Sequence, residues 1–363
     1  MNETQIDLSS VAFTGRETPL ATHAGINVSA FRYPSGVAAL RLRNRVGEVI
    51  VLPFHGQQIW DAQFYGRRLT MASIFAEPQP LDGYLLNYGA FLLHCGATGM
   101  GNPGPDDTHA LHGDLPNALY QQASLVLGTQ DGEAFVGLTG TREHRVAFEA
   151  HYTFTPLLRL FEATGRLTLD VTIRNFRSKP MDLMYMAHIN FRPVDGATIH
   201  DAVPDTPAAM RVRRRVPPHV QPDAAYRELI ETVAASPGLH RRIAPGRPID
   251  PELVLALDCP AGPDGWAHSL QQLPDGSADF VSHRPAELNH GVRWIARNGD
   301  EDALGLLLPA TAGADGRNAE RAKGNVRQLA PRAQFAASIG FGALTPAEAA
   351  AMAAAIDRDR AAR

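Results

Sequence analysis

Cysteine is nearly absent from this chain of 363 residues. Cys95 and Cys259 stand alone, too few for a disulfide framework and without the paired spacing of a zinc site, so a reducing cytoplasm is the simplest setting. Neither sign of charge dominates: 34 basic against 38 acidic residues leave a net charge of −4. No basic footprint calls for nucleic acid, and none is expected as a partner. No stretch approaches the ~20 consecutive apolar residues of a membrane-spanning helix. The opening MNETQIDLSSVAFTGRE also lacks the apolar core of a signal peptide, so neither a membrane nor export is expected. There is no Gly-x-Ser-x-Gly elbow, no phosphate-binding loop and no dinucleotide fingerprint, which removes three common classes of enzyme. No repeat of fixed period is visible.

What is present is strand signal. From Gly25 onward short apolar segments such as INVSAFRY, GVAALRLRN and VGEVIVLP alternate with turn material such as Pro34-Ser35-Gly36. Leu167, Leu169, Val171 and Ile173 alternate with Thr168, Asp170, Thr172 and Arg174, the period of a half-buried strand. Strands at spacings of about ten residues without intervening helical pattern indicate an antiparallel all-β sandwich or barrel. Residues 1–24 form an N-terminal segment, 25–342 the β domain and 343–363 a short C-terminal helix, announced by Thr345 as cap, Pro346 in the first turn and Glu348 after it. Within the domain, 201–247 is an Arg/Pro-rich excursion read as surface loop, with Pro204, Pro207, Pro217, Pro218, Pro222, Pro237 and Pro245 around the run Arg213-Arg214-Arg215. That basic run suits a solvated face or contact with an acidic ligand.

Chemistry-bearing residues concentrate in Tyr88 to Asn117. The Phe91-Leu92-Leu93 run ends in His94-Cys95-Gly96, and a Gly/Pro/Asp-rich loop leads to Leu111-His112-Gly113-Asp114. A later apolar strand, MDLMYMAHINFRP, delivers His188, Asn190 and Arg192 alternately to one face, leaving Ala187, Ile189 and Phe191 for the core. A buried imidazole needs a partner, and that singles out His94, His112 and His188. His55, more marginal, suits a strand junction or the edge of the site. Trp60, Tyr88 and Trp294 suit either core packing or a platform under a pyranose ring.

Those segments, Gly89-Ala90-Phe91-Leu92-Leu93-His94-Cys95-Gly96, Gly101-Asn102-Pro103, Leu111-His112-Gly113 and Tyr185-Met186-Ala187-His188-Ile189-Asn190-Phe191, resemble the aldose 1-epimerase (galactose mutarotase-like) superfamily, and within it the aldose-1-epimerase-like branch. The resemblance runs from about residue 25 to 342. It implies an antiparallel β-supersandwich and a sugar site, with His112 bonding sugar oxygens, His188 as general acid toward the ring oxygen and a glutamate taking the anomeric hydroxyl proton. His94, Asn190, Arg192, Asp114 and Trp294 are the expected substrate-binding residues beside them. Opening a hemiacetal needs a proton removed at O1 and one delivered at O5, a task for groups titrating near working pH.

The sequence departs from that pattern at one point. Where the related branch reads Gly-Leu-Glu-Pro, this chain has Gly305-Leu306-Leu307-Leu308-Pro309, so leucine stands at the expected base. Three readings stay open. Asp114, Asp195, Glu287 or Glu320 substitutes; the chain binds sugar without turnover; or it is a metal-assisted isomerase or lyase on a keto-sugar or sugar acid, with Arg192 and Arg293 pairing a carboxylate. His55, His94, His112 and His188 with Glu77 lack the short spacing that makes metal motifs specific, so no metal or other cofactor is expected. The expected partner is a small sugar or sugar derivative, and a homodimer is compatible with the chain.

Overall fold

The computed structural model describes residues 3–216 and 222–361. Pro217 and Pro218 of the excursion, the first two residues and the last two lie outside the described residues. Among the described residues, two antiparallel sheets of ten and thirteen strands face each other. Phe91, just before the Leu92–Ala97 strand of the larger sheet, meets Phe341 of the smaller at 6.0 Å between ring centroids, and Tyr185 meets Phe154 at 5.8 Å. The alternation read from Leu167 to Ile173 is present in the Arg166–Asn175 strand, whose apolar members are buried and whose alternates are half-buried or exposed. The core between the sheets is built in this way from both, with Leu40, Val49, Ala187 and Leu255 from one and Leu138, Leu169, Val281 and Ile339 from the other.

Residues 4–23 do not stand apart from the sandwich. Thr4–Asp7 pairs with Ala123–Gln130 in the smaller sheet, and Thr18–His23 pairs with Ile26–Arg32 in the larger. At the other end Pro346–Ala361 is helical. Thr345 Oγ1 accepts from the Glu348 amide at 3.4 Å while the Glu348 carboxylate accepts from the Thr345 amide at 2.9 Å, a reciprocal capping box. Ala349 and Ile356 bury that helix against Leu270 and Phe280.

The excursion is more ordered than its prolines suggest. Ala224–Ala235 is a helix, capped by Asp223, whose side chain accepts from the Tyr226 amide at 2.7 Å. Tyr226, Ile230 and Val233 recur at helical spacing and are buried. Dense Pro and Arg on either side mask that short amphipathic signal. Five consecutive neighbours of the larger sheet matter for the site: Ile249–Leu257, His290–Arg297, Asp302–Ala310, Met181–Ile189 and Leu92–Ala97. One face of these strands covers the core, and the other carries a cleft. No described helix is long and apolar enough to cross a membrane.

Candidate sugar-binding cleft

The cleft encloses about 270 Å³, near the lower end of the ~300–1,000 Å³ usual for small-molecule sites. Its floor is the outer face of the four strands from Ile249–Leu257 to Met181–Ile189, and Tyr84, Leu85, Tyr88, Asn102, Leu111 and His112 close it from the segments on either side of the Leu92–Ala97 strand. His112, His188 and Trp294 all line it. The two imidazoles, 76 residues apart in sequence, stand 5.6 Å apart with their rings nearly perpendicular. Trp294 presents its edge to His188 at 5.5 Å, and Tyr88 stands 5.9 Å from the same imidazole.

His112 is carried on a turn that only glycine can close. A Cβ on Gly113 would lie 2.3 Å from the Gly96 carbonyl oxygen, and one on Gly96 would lie 2.1 Å from that of Met184. The Asp114 and Leu115 amides donate to Gly96 at 2.8 and 3.0 Å, docking the turn onto the end of the Leu92–Ala97 strand. His112 itself sits at a φ of 58°, a left-handed conformation unusual for a residue with a side chain. Its ring stacks on Tyr84 at 4.5 Å, and its Nδ1 is buried without a hydrogen-bond partner. Burial first, then the neighbouring His188 and Arg213, pushes this imidazole well below its ordinary pKa.

His188 is 5% exposed. Its Nδ1 lies 2.7 Å from Asn190 Oδ1, and Asn190 Nδ2 donates to the Ala90 carbonyl at 3.0 Å. The second bond fixes which end of the amide is oxygen, so Nδ1 of His188 must be the donor. Burial pushes the His188 pKa down to about 4, against a smaller upward pull from Asn190. At neutral pH the ring is therefore uncharged, with its proton on Nδ1 and a lone pair on Nε2.

The other expected residues separate cleanly. His94 pairs in register with Ala187, and His188 pairs with Leu93. Cross-strand partners share a face, so the two histidines point to opposite sides of the sheet. His94 lies between the sheets, bonded to the Tyr185 hydroxyl at 2.9 Å and edge-on to Phe154, and burial pushes its pKa down to about 3. Asn190 lies beneath His188 rather than in the lining. Arg192 falls beyond the end of its strand, where the alternation no longer holds, and donates from Nε to the Thr70 carbonyl at 3.3 Å.

Asp114 is turned away toward the Tyr152 hydroxyl and His144, the latter at 3.1 Å. Asp195 pairs with Arg297, Glu287 with Arg284, and Glu320 accepts from the Gly313 amide and Asn325, so none of the proposed substitute acids lines the cleft. Arg293 is fully buried on the core side of its strand. Trp60 is core, and His55 belongs to a separate network with Asn87 and Asn117. Among the described residues no three His, Cys, Asp or Glu side chains are grouped to hold a metal ion.

Leu308 does line the cleft, 1% exposed and paired across the sheet with Val292. The carboxylate that the sequence reading lacked comes from elsewhere. Glu252, at the start of the Ile249–Leu257 strand, accepts from Trp294 Nε1 at 2.6 Å and from the Arg213 guanidinium, and Glu301 lines the same cleft. Arg213 belongs to the basic run, so one member of that run turns inward while Arg214 pairs with Glu231 at 3.0 Å. The signal for Glu252 is its alternation with Val254 and Ala256, opposite Leu253, Leu255 and Leu257; the apolar run LVLALDC that marks this strand in the sequence, Leu253–Cys259, begins one residue after it.

Comparison with solved structures agrees with this architecture. An aldose 1-epimerase candidate from Klebsiella pneumoniae superposes with a TM-score of 0.79 at 15% identity, covering 99% of this chain and 96% of that one. A galactose mutarotase-like protein from Clostridium acetobutylicum gives 0.59 at 13% identity, covering 88% and 98%. An aldose 1-epimerase candidate from Escherichia coli K12 gives 0.52 at 14% identity, covering 84% and 97%. The fold is thus the galactose mutarotase-like supersandwich expected from the sequence. No curated protein matches the chain in sequence. Residues 34–342 match the family described as domain of unknown function DUF4432, and the chain belongs to that family.

Proposed function

We propose that the cleft binds an aldose and speeds the interconversion of its anomers. The observation that carries this reading is the meeting of His112 and His188, 5.6 Å apart, beside an indole and a carboxylate. Aromatic faces with a few convergent polar groups suit a sugar ring, which is apolar on its faces and polar at its rim.

The proton inventory gives His188 a different first task from the one the resemblance implies. A neutral ring whose Nδ1–H donates to Asn190 Oδ1 can accept at Nε2 but has nothing there to donate. His188 therefore takes the O1 hydroxyl proton. The C1–O5 bond then breaks to leave an aldehyde and an O5 alkoxide, and the imidazolium returns its proton to O5. O1 and O5 share one carbon, so one imidazole serves both, and closure on the other aldehyde face gives the second anomer. Glu252, held in the same cleft by Arg213 and Trp294, accepts from a sugar hydroxyl. His112, with a free ring nitrogen, orients sugar hydroxyls. Leu308 takes no part in proton transfer.

Polarimetry and exchange NMR on freshly dissolved aldoses test the proposal. Acceleration is expected, and His188→Ala should remove about 10²–10⁴-fold of it. Glu252→Gln should cost less; a loss as severe as that of His188→Ala would transfer the base to Glu252. Leu308 favours one second reading, a sugar-binding protein without turnover, and saturable binding with no acceleration would select it.

A further inference from the structure

We infer that the sugar taken by this cleft is a deoxy sugar, one that presents a methyl or methylene where a common aldose has a hydroxyl. The inference rests on the aldose reading above and deepens it. Four side chains from four adjacent strands, Met186, Leu308, Val292 and Val254, line one part of the floor. Their exposures are 0%, 1%, 5% and 9%. Leu308 pairs directly with Val292; Met186 pairs with Ala310, the next residue on Leu308's face; and Val254 pairs with Trp294, the next on Val292's face. The stripe is continuous, and its side chains carry no hydrogen-bond donor and no acceptor stronger than the Met186 thioether. Gly305 keeps it flat, since a Cβ there would crowd Leu308 Cδ2 at 3.0 Å.

The polar groups of the cleft lie off this stripe. His188 and His112 serve the reacting end by the argument above, while Glu252, Arg213 and Trp294 are joined by their own hydrogen bonds. A sugar seated between them sets one part of its rim on the stripe. A hydroxyl set against these four side chains would lose its water and gain no strong hydrogen bond from them, whereas a methyl or methylene gains contact. The residue that removes the expected base thus also makes the floor selective.

The test is a panel of matched pairs, each rate divided by the uncatalysed rate: D-galactose with 6-deoxy-D-galactose, D-glucose with 6-deoxy-D-glucose and 2-deoxy-D-glucose, and D-ribose with 2-deoxy-D-ribose. Binding is read by saturation-transfer NMR and interconversion by exchange NMR. At least one deoxy member should exceed its parent, by up to about 10²-fold in kcat/KM. Leu308→Gln should narrow that ratio, and so should the near-isosteric Val292→Thr, which keeps a second variant available should the first not fold. Parents that match or exceed every deoxy partner would overturn the inference while leaving the aldose reading intact. Silence from both members of every pair would overturn both.

Discussion

Arg293 and Trp294 are neighbours on one strand and belong to different worlds. Arg293 faces the core. Its Nε donates to the Leu306 carbonyl at 2.8 Å, its two terminal nitrogens reach His240 Nε2 at 2.7 Å and Asp201 Oδ2 at 2.8 Å, and Arg241 clasps the same Asp201 through both terminal nitrogens. Every side-chain nitrogen and oxygen of this buried cluster has a partner. Trp294 faces the cleft, where His112 Nδ1 has none. Both groups are polar and enclosed, and the difference lies in satisfaction. A complete network ties Asp201 and Arg241 to the sheet through Arg293, whereas an incomplete one leaves a polar atom that the proposed sugar would satisfy.

The widest separation between the two should come from paired substitutions. His188→Ala is expected to cost about 10²–10⁴-fold in anomer interconversion with little change in the urea midpoint. Asp201→Ala, on the core side, should instead lower unfolding free energy by about 3–5 kcal/mol, because it strands two buried guanidiniums. A His188→Ala protein as unstable as Asp201→Ala would erase the distinction.

Acid should act on both sides through different groups. Burial lowers the folded-state pKa of His188 to about 4 and, with the nearby Arg293 charge, that of His240 to about 3. The unfolded chain therefore binds more protons from about pH 6.5 downward, and each histidine adds a stability loss approaching ~1.4 kcal/mol per pH unit until its folded pKa is reached. Burial pushes the Asp201 carboxyl up, but Arg293 and Arg241 outweigh it and hold it below the usual carboxylate range. Its contribution is present above the unfolded value near ~3.9 and fades below it. Stability measured by denaturant from pH 7 down to 4 should fall, less steeply in His240→Gln; a flat profile would contradict the buried neutral histidines. Interconversion should persist to about pH 4 and then fail as His188 protonates.

The smallest effect sharpens the cleft side. Trp294→Phe keeps the ring but removes the Nε1 donor to Glu252. Sugar affinity should weaken by about tenfold, the lower end of the ~1.5–3 kcal/mol of a hydrogen bond to a charged group because the bond lost positions Glu252 rather than touching the sugar, while the midpoint barely moves. Isothermal titration with the best sugar of the panel reads it, and unchanged affinity would remove Glu252 and Trp294 from recognition.

Much of this was legible residue by residue. The alternation from Leu167 to Ile173 and the Thr345–Glu348 cap are local patterns, and the structure contains both. The convergence of His112 and His188 was expected from the resemblance; their individual positions in the chain could not supply it. His94 misled because its strand parity relative to His188 depends on register, and Ala187, not His188, turned out to lie opposite it. Glu252 was overlooked because the apolar run that marks its strand, Leu253–Cys259, begins one residue after it.

Period-two burial, cap chemistry and the lack of a carboxylate at Leu308 are properties of short stretches, and for these the amino-acid order is sufficient. Which side chains share a face is a property of pairing between strands far apart in the chain, where a shift of one residue reverses every side chain. Only the assembled sheet could bring Glu252 to Trp294 in the cleft and send His94 and Arg293 to the core.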